Sequence, residues 1–330
     1  MPVSRRSAFA AAVLGAPCLR IRFCVAQEEA WSPNRPVRLL VSTVAGGGSD
    51  IAVRIAVPRL QALLGQPVVV DNRPGGAGNV ANEALAQSPP DGHTVQLGTI
   101  GNLTVNPLIQ KNLPVDPLRD LAHVGLAVQV TNLLVVPADR PWRTAGALLA
   151  AAKAQPGALA YGSSGVGSAG HLAGALLDQA AGVQGVHVPY RGGGQLITDV
   201  LSGKVDYAFA TAATTLEHVG TGRLRAMAVP TAERSALVPE LPTVAESAGL
   251  PGYAVANWYA LVAPHGTPRS ALERWNAAWQ EALRDPEVVR RLAQQGIEPM
   301  RSTPEGCTDF MAAESAKWAG VVRAAGISVD

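Results

Sequence analysis

Four polar, glycine-rich segments hold the residues best suited to chemistry. They are Ser42-Thr43-Val44-Ala45-Gly46-Gly47-Gly48-Ser49-Asp50, Asn72-Arg73-Pro74-Gly75-Gly76-Ala77-Gly78, Ser163-Ser164-Gly165-Val166-Gly167-Ser168 and Tyr190-Arg191-Gly192-Gly193-Gly194. Each follows a short apolar run and precedes a helical pattern. The start of a helix carries unpaired N–H groups and a partial positive charge. Glycine lets that backbone approach a ligand, and serine or threonine adds hydroxyl donors. Such a loop holds an anion with few lysines or arginines. Ser42, Gly46, Gly47 and Gly48, then Ser163, Ser164, Gly167 and Ser168, then Tyr190 and Arg191, are the candidate ligand contacts. Asp50 and Asp206 read as organisers of loop N–H groups, because a carboxylate facing an anionic ligand would oppose its binding.

Other chemistries fit less well. Gly165-Val166-Gly167-Ser168-Ala169-Gly170 matches the dinucleotide fingerprint G-x-G-x-x-G. That mechanism needs an acid about twenty residues on, where the chain reads His187-Val188-Pro189-Tyr190-Arg191. Ser164 lacks the closing glycine of G-x-S-x-G. His93, His171, His187 and His218 do not have metal-ligand spacing, and His171 reads as a structural hydrogen-bonding residue. No cofactor or metal is expected. A hydrolase or oxidoreductase built on the loop 163–168 is the catalytic alternative, and it lacks a matched base.

Parallel strands joined through helices would place these loops at one edge of a sheet. Apolar runs at 37–41, 68–70 and 94–98 alternate with helical patterns from Ile51 to Leu64 and over 79–86. The alternation resumes with strands at 133–136, 159–162, 186–188 and 205–209 and helices at 144–154, 169–181 and 194–201. Two α/β units follow, and ligands of such sheets sit beyond the carboxyl ends of the strands. The C-terminal part reads as helical. Thr267 is placed as a cap before Pro268, a second helix runs from Pro286 to a stop at Gly296, and Thr303-Pro304-Glu305 opens a third. Trp275, Trp279 and Trp318 mark buried faces, and Cys307 is expected to be partly buried.

The length of 330 residues suits two domains, and 48% hydrophobic against 16% charged residues allows a sizeable core. Residues 1–26 contain Arg5, Arg6, Arg20 and Arg22 and no acid, so the rest holds 23 basic against 25 acidic residues. That balance is no footprint for nucleic acid or an anionic membrane. The start reads as an export leader: a basic Arg5-Arg6, an apolar run over 8–16, and cleavage after Ala26 or Ala16. Ser4-Arg5-Arg6 with Phe9 resembles a twin-arginine leader. Cys18 and Cys24 lie within it, which leaves Cys307 alone and excludes an intrachain disulfide.

The order of the motifs resembles the Bug-type receptors, the periplasmic solute-binding component of tripartite tricarboxylate transporters. The resemblance spans 33–328. It rests on Val70-Asp71-Asn72-Arg73-Pro74-Gly75, Pro90-Asp91-Gly92-His93-Thr94, Gly162-Ser163-Ser164-Gly165-Val166-Gly167-Ser168 with His171-Leu172-Ala173-Gly174, His187-Val188-Pro189-Tyr190-Arg191-Gly192, Gly203-Lys204-Val205-Asp206, Leu241-Pro242-Thr243-Val244-Ala245-Glu246 and Trp258-Tyr259-Ala260-Leu261-Val262-Ala263-Pro264. It implies a type II periplasmic-binding-protein fold with two α/β lobes. One lobe comprises 33–131 with 254–330 and the other 132–253, with crossings near 131–134 and 253–258 and the ligand in the cleft between. By position it adds Asp50, Thr99, Asn102 and Asp206 to the candidate contacts.

The resemblance also implies a monomeric, exported, periplasmic and non-catalytic receptor for a small organic acid, read by membrane permease subunits. A ligand sensor for a signalling partner is its alternative. The departures concern the ligand. The first loop lacks the family's bulky aromatic and prolines, His93 stands for a tyrosine, and Gln195-Leu196 replaces proline-alanine. Ala175 and Ala210 stand where acids are common. Loss of acids near the cleft weakens the case for an amino acid, whose ammonium group wants one.

Overall fold

The computed structural model describes Met1 and residues 30–329. The leader expected over 1–26 otherwise lies outside the described residues. The first lobe opens with β1 (Val37–Val41), β2 (Val68–Asn72) and β3 (Thr94–Thr99), with β1 pairing in parallel with both others. β1 is the run Val-Arg-Leu-Leu-Val, buried at four of its five positions. Such continuous burial suits a strand covered on both faces. Between β1 and β2 runs α1 (Gly48–Leu64), which ends at Gly65 in the left-handed region with φ 71°. α2 (Asn79–Ala86) joins β2 to β3, and a π-helical turn at Gly101–Val105 leads from β3 into α3 (Asn106–Ile109).

Then β4 (Leu121–Val130) passes through a single residue, Thr131, into β5 (Asn132–Pro137) of the second lobe. That lobe contains α4 (Ala145–Ala154), β6 (Ala160–Ser163), α5 (Ala169–Ala181), β7 (Val186–Pro189), α6 (Gly193–Leu201), β8 (Tyr207–Thr211), α7 (Ala212–Gly220), β9 (Leu224–Ala228) and α8 (Val244–Ala248). The chain returns through 249–256 to β10 (Asn257–Pro264) and finishes with α9 (Arg269–Ala282), α10 (Pro286–Gln294), β11 (Ile297–Pro299) and α11 (Pro304–Ala325).

The two sheets share one plan. The first is ordered β11-β4-β10-β3-β1-β2 and the second β7-β6-β8-β5-β9. In each, three parallel strands are followed by an antiparallel strand that has just crossed from the other lobe: β10 beside β3, β5 beside β8. This is the two-lobed α/β fold with two crossings. α11 packs against both lobes. Its Trp318 is fully buried in a cluster that includes Leu103 and Ile109 of the first lobe and Leu172 and Ala173 of the second.

Several expectations are corrected. The C-terminal region is not wholly helical, since β11 after α10 adds an edge strand to the first sheet. The Thr267 hydroxyl bonds the carbonyl of Pro264, so Pro268 is the N-cap and α9 starts at Arg269. β8 begins at Tyr207 and not at Val205, because the Asp206 side chain accepts the Ala160 N–H and pairs with Arg140, bending the entry. Cys307 is fully buried, and burial pushes its thiol up to about 12.

Candidate ligand-binding site

In the first lobe the carboxyl ends of β1, β2 and β3 bring three loops together. Gly78 has φ 96°, and a Cβ there would lie 2.8 Å from Asn102 Cβ and 3.3 Å from Ser42 Cβ. A left-handed glycine is therefore what lets Ser42 and Asn102 both close on the backbone at this point. Asp50, only 2% exposed, ties the first loop down. Its carboxylate accepts the Gly46 N–H at 2.9 Å, the Arg54 Nε–H at 2.9 Å and the Asn72 amide at 3.0 Å. Burial opposes its ionisation, but these donors outweigh burial and hold its carboxyl below the usual range. Asn72 also bonds the Thr43 carbonyl, and Thr43 and Ser49 share a hydroxyl bond of 2.8 Å. Gly47 and Gly48 then open α1, and Gly48 lies against the hydroxyl of Tyr259 from β10.

Beneath the Thr99 end of β3 lies a buried set of amides. Asn102 Oδ1 accepts from the Thr99 N–H at 2.7 Å and from the Thr99 hydroxyl at 2.9 Å. The Asn102 amide donates to Asn82 Oδ1 at 2.6 Å, which also accepts from Gln96 at 2.8 Å. Asn102 is fully buried and its side chain is already engaged, so it positions Thr99. A second pair extends the set: Asn106 donates to Asn79 Oδ1 at 2.8 Å and to the Ala77 carbonyl at 3.1 Å.

In the second lobe, β6 ends at Ser163 and α5 begins at Ala169. Ser168 caps α5 through its hydroxyl, which also donates to the Gly165 carbonyl at 2.7 Å. The Ser163 hydroxyl donates to the same carbonyl at 3.0 Å and lies 2.7 Å from His187 Nε2. The Gly167 N–H donates to His171 Nδ1 at 3.1 Å, and the His171 and His187 rings stack 3.7 Å apart at 7°. Burial lowers His171 to about 4. Burial, with the neighbouring His171, lowers His187 to about 3. Both imidazoles are therefore neutral at physiological pH.

Ser164 and Arg191 are exposed at the rim. The Tyr190 N–H bonds the Ser163 carbonyl at 2.9 Å, while its hydroxyl turns away to Asp199 at 3.1 Å. The two loop sets face each other across the lobes: a Cβ on Gly167 would meet Ile109, Val105 and Asn106, and one on Gly101 would lie 3.4 Å from the Gly167 carbonyl.

Asp206 does not join this group. It precedes β8 beside Ala160, at the end of the strands opposite Ser163, because β6 and β8 run parallel with Tyr161 opposite Tyr207. The residue-level reading missed Tyr259, Asn79, Asn82, Asn106 and His187. The amides had a signal, since 79 with 82 and 102 with 106 fall at helical spacing on otherwise apolar turns. Among the described residues, no group of three or more His, Cys, Asp or Glu side chains could hold a metal ion.

Known proteins share this arrangement. Residues 52–327 match the family described as the tripartite tricarboxylate transporter family receptor. The chain is 36% identical over 295 residues to the protein BugT of Bordetella pertussis, covering 89% of this chain and 90% of that one. The solved structure of Rpa4515 from R. palustris with adipate is similar at 34% identity and a TM-score of 0.81, covering 90% of this chain and 99% of that one. MatC of Rhodopseudomonas palustris with bound malate is similar at 29% identity and a TM-score of 0.77, covering 88% and 99%.

Proposed function

We propose, since this chain belongs to the tripartite tricarboxylate transporter receptor family, that it is a periplasmic receptor. In this reading it is exported by its N-terminal leader, closes around a small carboxylate without an ammonium group, and presents it to membrane permease subunits. The observation that carries the reading is the meeting of two donor-rich loop sets whose acids are already engaged. Asp50 is held by Gly46, Arg54 and Asn72, and Asp199 by Tyr190, Gln195 and Lys204. The helix starts at Gly48 and Ala169, with the Ser42 hydroxyl and the exposed guanidinium of Arg191, supply positive potential and donors. Adipate and malate on the two solved relatives support a carboxylate ligand.

The Ser163–His187 contact is the one feature that favours a hydrolase. It is poorly built for one: Ser163 is fully buried, and among the described residues no carboxylate orients the other ring nitrogen. Thermal-shift and calorimetric titration with mono-, di- and tricarboxylates tests the reading. A matching acid is expected to raise Tm and bind at micromolar Kd or tighter, about −8 kcal/mol. Stabilisation by amino acids but by no plain carboxylate would overturn it.

A further inference from the structure

The Asn106 side chain is an acceptor in search of a donor. Asn106 is 1% exposed, and its Oδ1 has no hydrogen-bond partner. The orientation of its amide is fixed, because Nδ2 faces two acceptors, the Ala77 carbonyl at 3.1 Å and Asn79 Oδ1 at 2.8 Å. Rotating the amide would set oxygen against oxygen at both. Oδ1 is thereby turned to the seam between the lobes, 3.6 Å from where a Cβ on Gly167 would stand. The other groups at that place, Val105 and Ile109, are apolar, and the Gly167 N–H is taken by His171.

A buried acceptor left without a donor is costly, and a carboxylate offers only acceptors. The geometry points to a ligand hydroxyl: Asn106 is a specificity-determining residue that selects a hydroxy-substituted acid over the same acid without the hydroxyl. This rests on the carboxylate reading and deepens it. The donors at Ser42 and the two helix starts take the carboxylate oxygens, while Asn106 Oδ1 accepts the ligand O–H. A site built to bond a hydroxyl rejects the analogue that lacks it, since the acceptor would then stay buried and unmet.

Calorimetry on the full mature chain with matched pairs is the test: 2-hydroxybutanedioate against butanedioate, citrate against propane-1,2,3-tricarboxylate, and 4-hydroxybenzoate against benzoate. In the pair that binds, the hydroxy acid is expected to bind about tenfold more tightly or better. In Asn106→Ala that ratio should fall towards one, with the affinity for the deoxy acid much less changed. Equal binding of both partners by the wild-type chain would overturn the inference while leaving the carboxylate reading intact, and it would mean that water serves Oδ1. This arm needs no variant, so it holds even if Asn106→Ala folds poorly. A ratio kept intact in a folded Asn106→Ala would also overturn it. Binding by no acid of either kind would remove the carboxylate reading and this inference together.

Discussion

Tyr259 reaches the site from β10, the strand beside β3. It sits opposite Thr99 on β10, is 7% exposed, and sets its hydroxyl at the first residue of α1 without a hydrogen-bond partner among the described residues. Buried tyrosine hydroxyls usually find a partner, and on the proposed function that partner is a ligand carboxylate oxygen at the start of α1. Burial pushes this phenol up to about 12, so it stays a donor throughout the physiological range. Tyr259→Phe is expected to weaken carboxylate binding about five- to tenfold, the worth of one net hydrogen bond. The unliganded Tm should hardly move, because no protein bond is lost. Titration calorimetry with a melt of the free protein checks both, and unchanged affinity would take Tyr259 out of the site. Asp50, by contrast, was legible from residue types alone, because an acid in the first turn of a helix with Arg54 four residues on ties a loop locally. Nothing local in Trp258-Tyr259-Ala260 says that β10 lies beside β3.

The elements most legible in the sequence are those with punctuation. α2 and α5 occupy the expected residues, each after a glycine-rich loop, and β1 reads as an apolar run interrupted only by Arg38. β4 and β10 were not read because their antiparallel places come from neighbours far along the chain. β4 also carries Gly125, where a Cβ would strike Asn276 of α9. The junction of β6, β7 and α5 yields a prediction at this scale. Stacked His171 and His187 join α5 to β7 and hold the loop 163–168 through Gly167 and Ser163. Their folded pKa values, about 4 and about 3, lie below the ordinary 6.5. Below pH 6.5 the unfolded chain therefore takes up protons that the folded chain refuses. The contribution of the pair is complete above pH 6.5 and is lost as pH falls towards 3. Asp178 acts in the opposite sense, since burial pushes it up to about 6 and its cost grows as pH rises from 3.8 to 6. His187→Gln keeps a hydrogen-bonding group for Ser163 and removes one titrating group. Its Tm should fall less steeply than that of the wild type between pH 6.5 and 4. Parallel slopes would show that His187 is not buried neutral in the folded chain.

Across the whole molecule, the binding loops sit on different lobes while the connections between lobes are few and well anchored. At the first crossing the Thr131 N–H bonds the Gly296 carbonyl and its own carbonyl accepts the Ala212 N–H, both at 2.8 Å. Close by, Ser235 of the second lobe donates to Glu298 of β11 at 2.7 Å. At the second crossing Lys317 of α11 holds the Ala254 carbonyl at 2.7 Å, and Glu314 accepts from the indoles of Trp258 and Trp318 at 2.9 and 3.0 Å. Tyr253 bonds the Ala173 carbonyl of α5 at 2.8 Å. On the proposed function, closure is expected as a rotation about these anchors, with a ligand that bonds both loop sets favouring the closed arrangement by its extra contacts there. Hydrogen exchange with and without a bound carboxylate reads this directly. Amides of residues 46–50 and of 165–170 should both slow on binding, though no bond of the protein links the two loops. The anchors at Thr131 and Lys317 should exchange alike in both states, and the scattering radius should shrink. Slowing in one lobe alone would mean that the ligand sits on a single loop set, and the two-lobed cleft would have to be abandoned as the binding site.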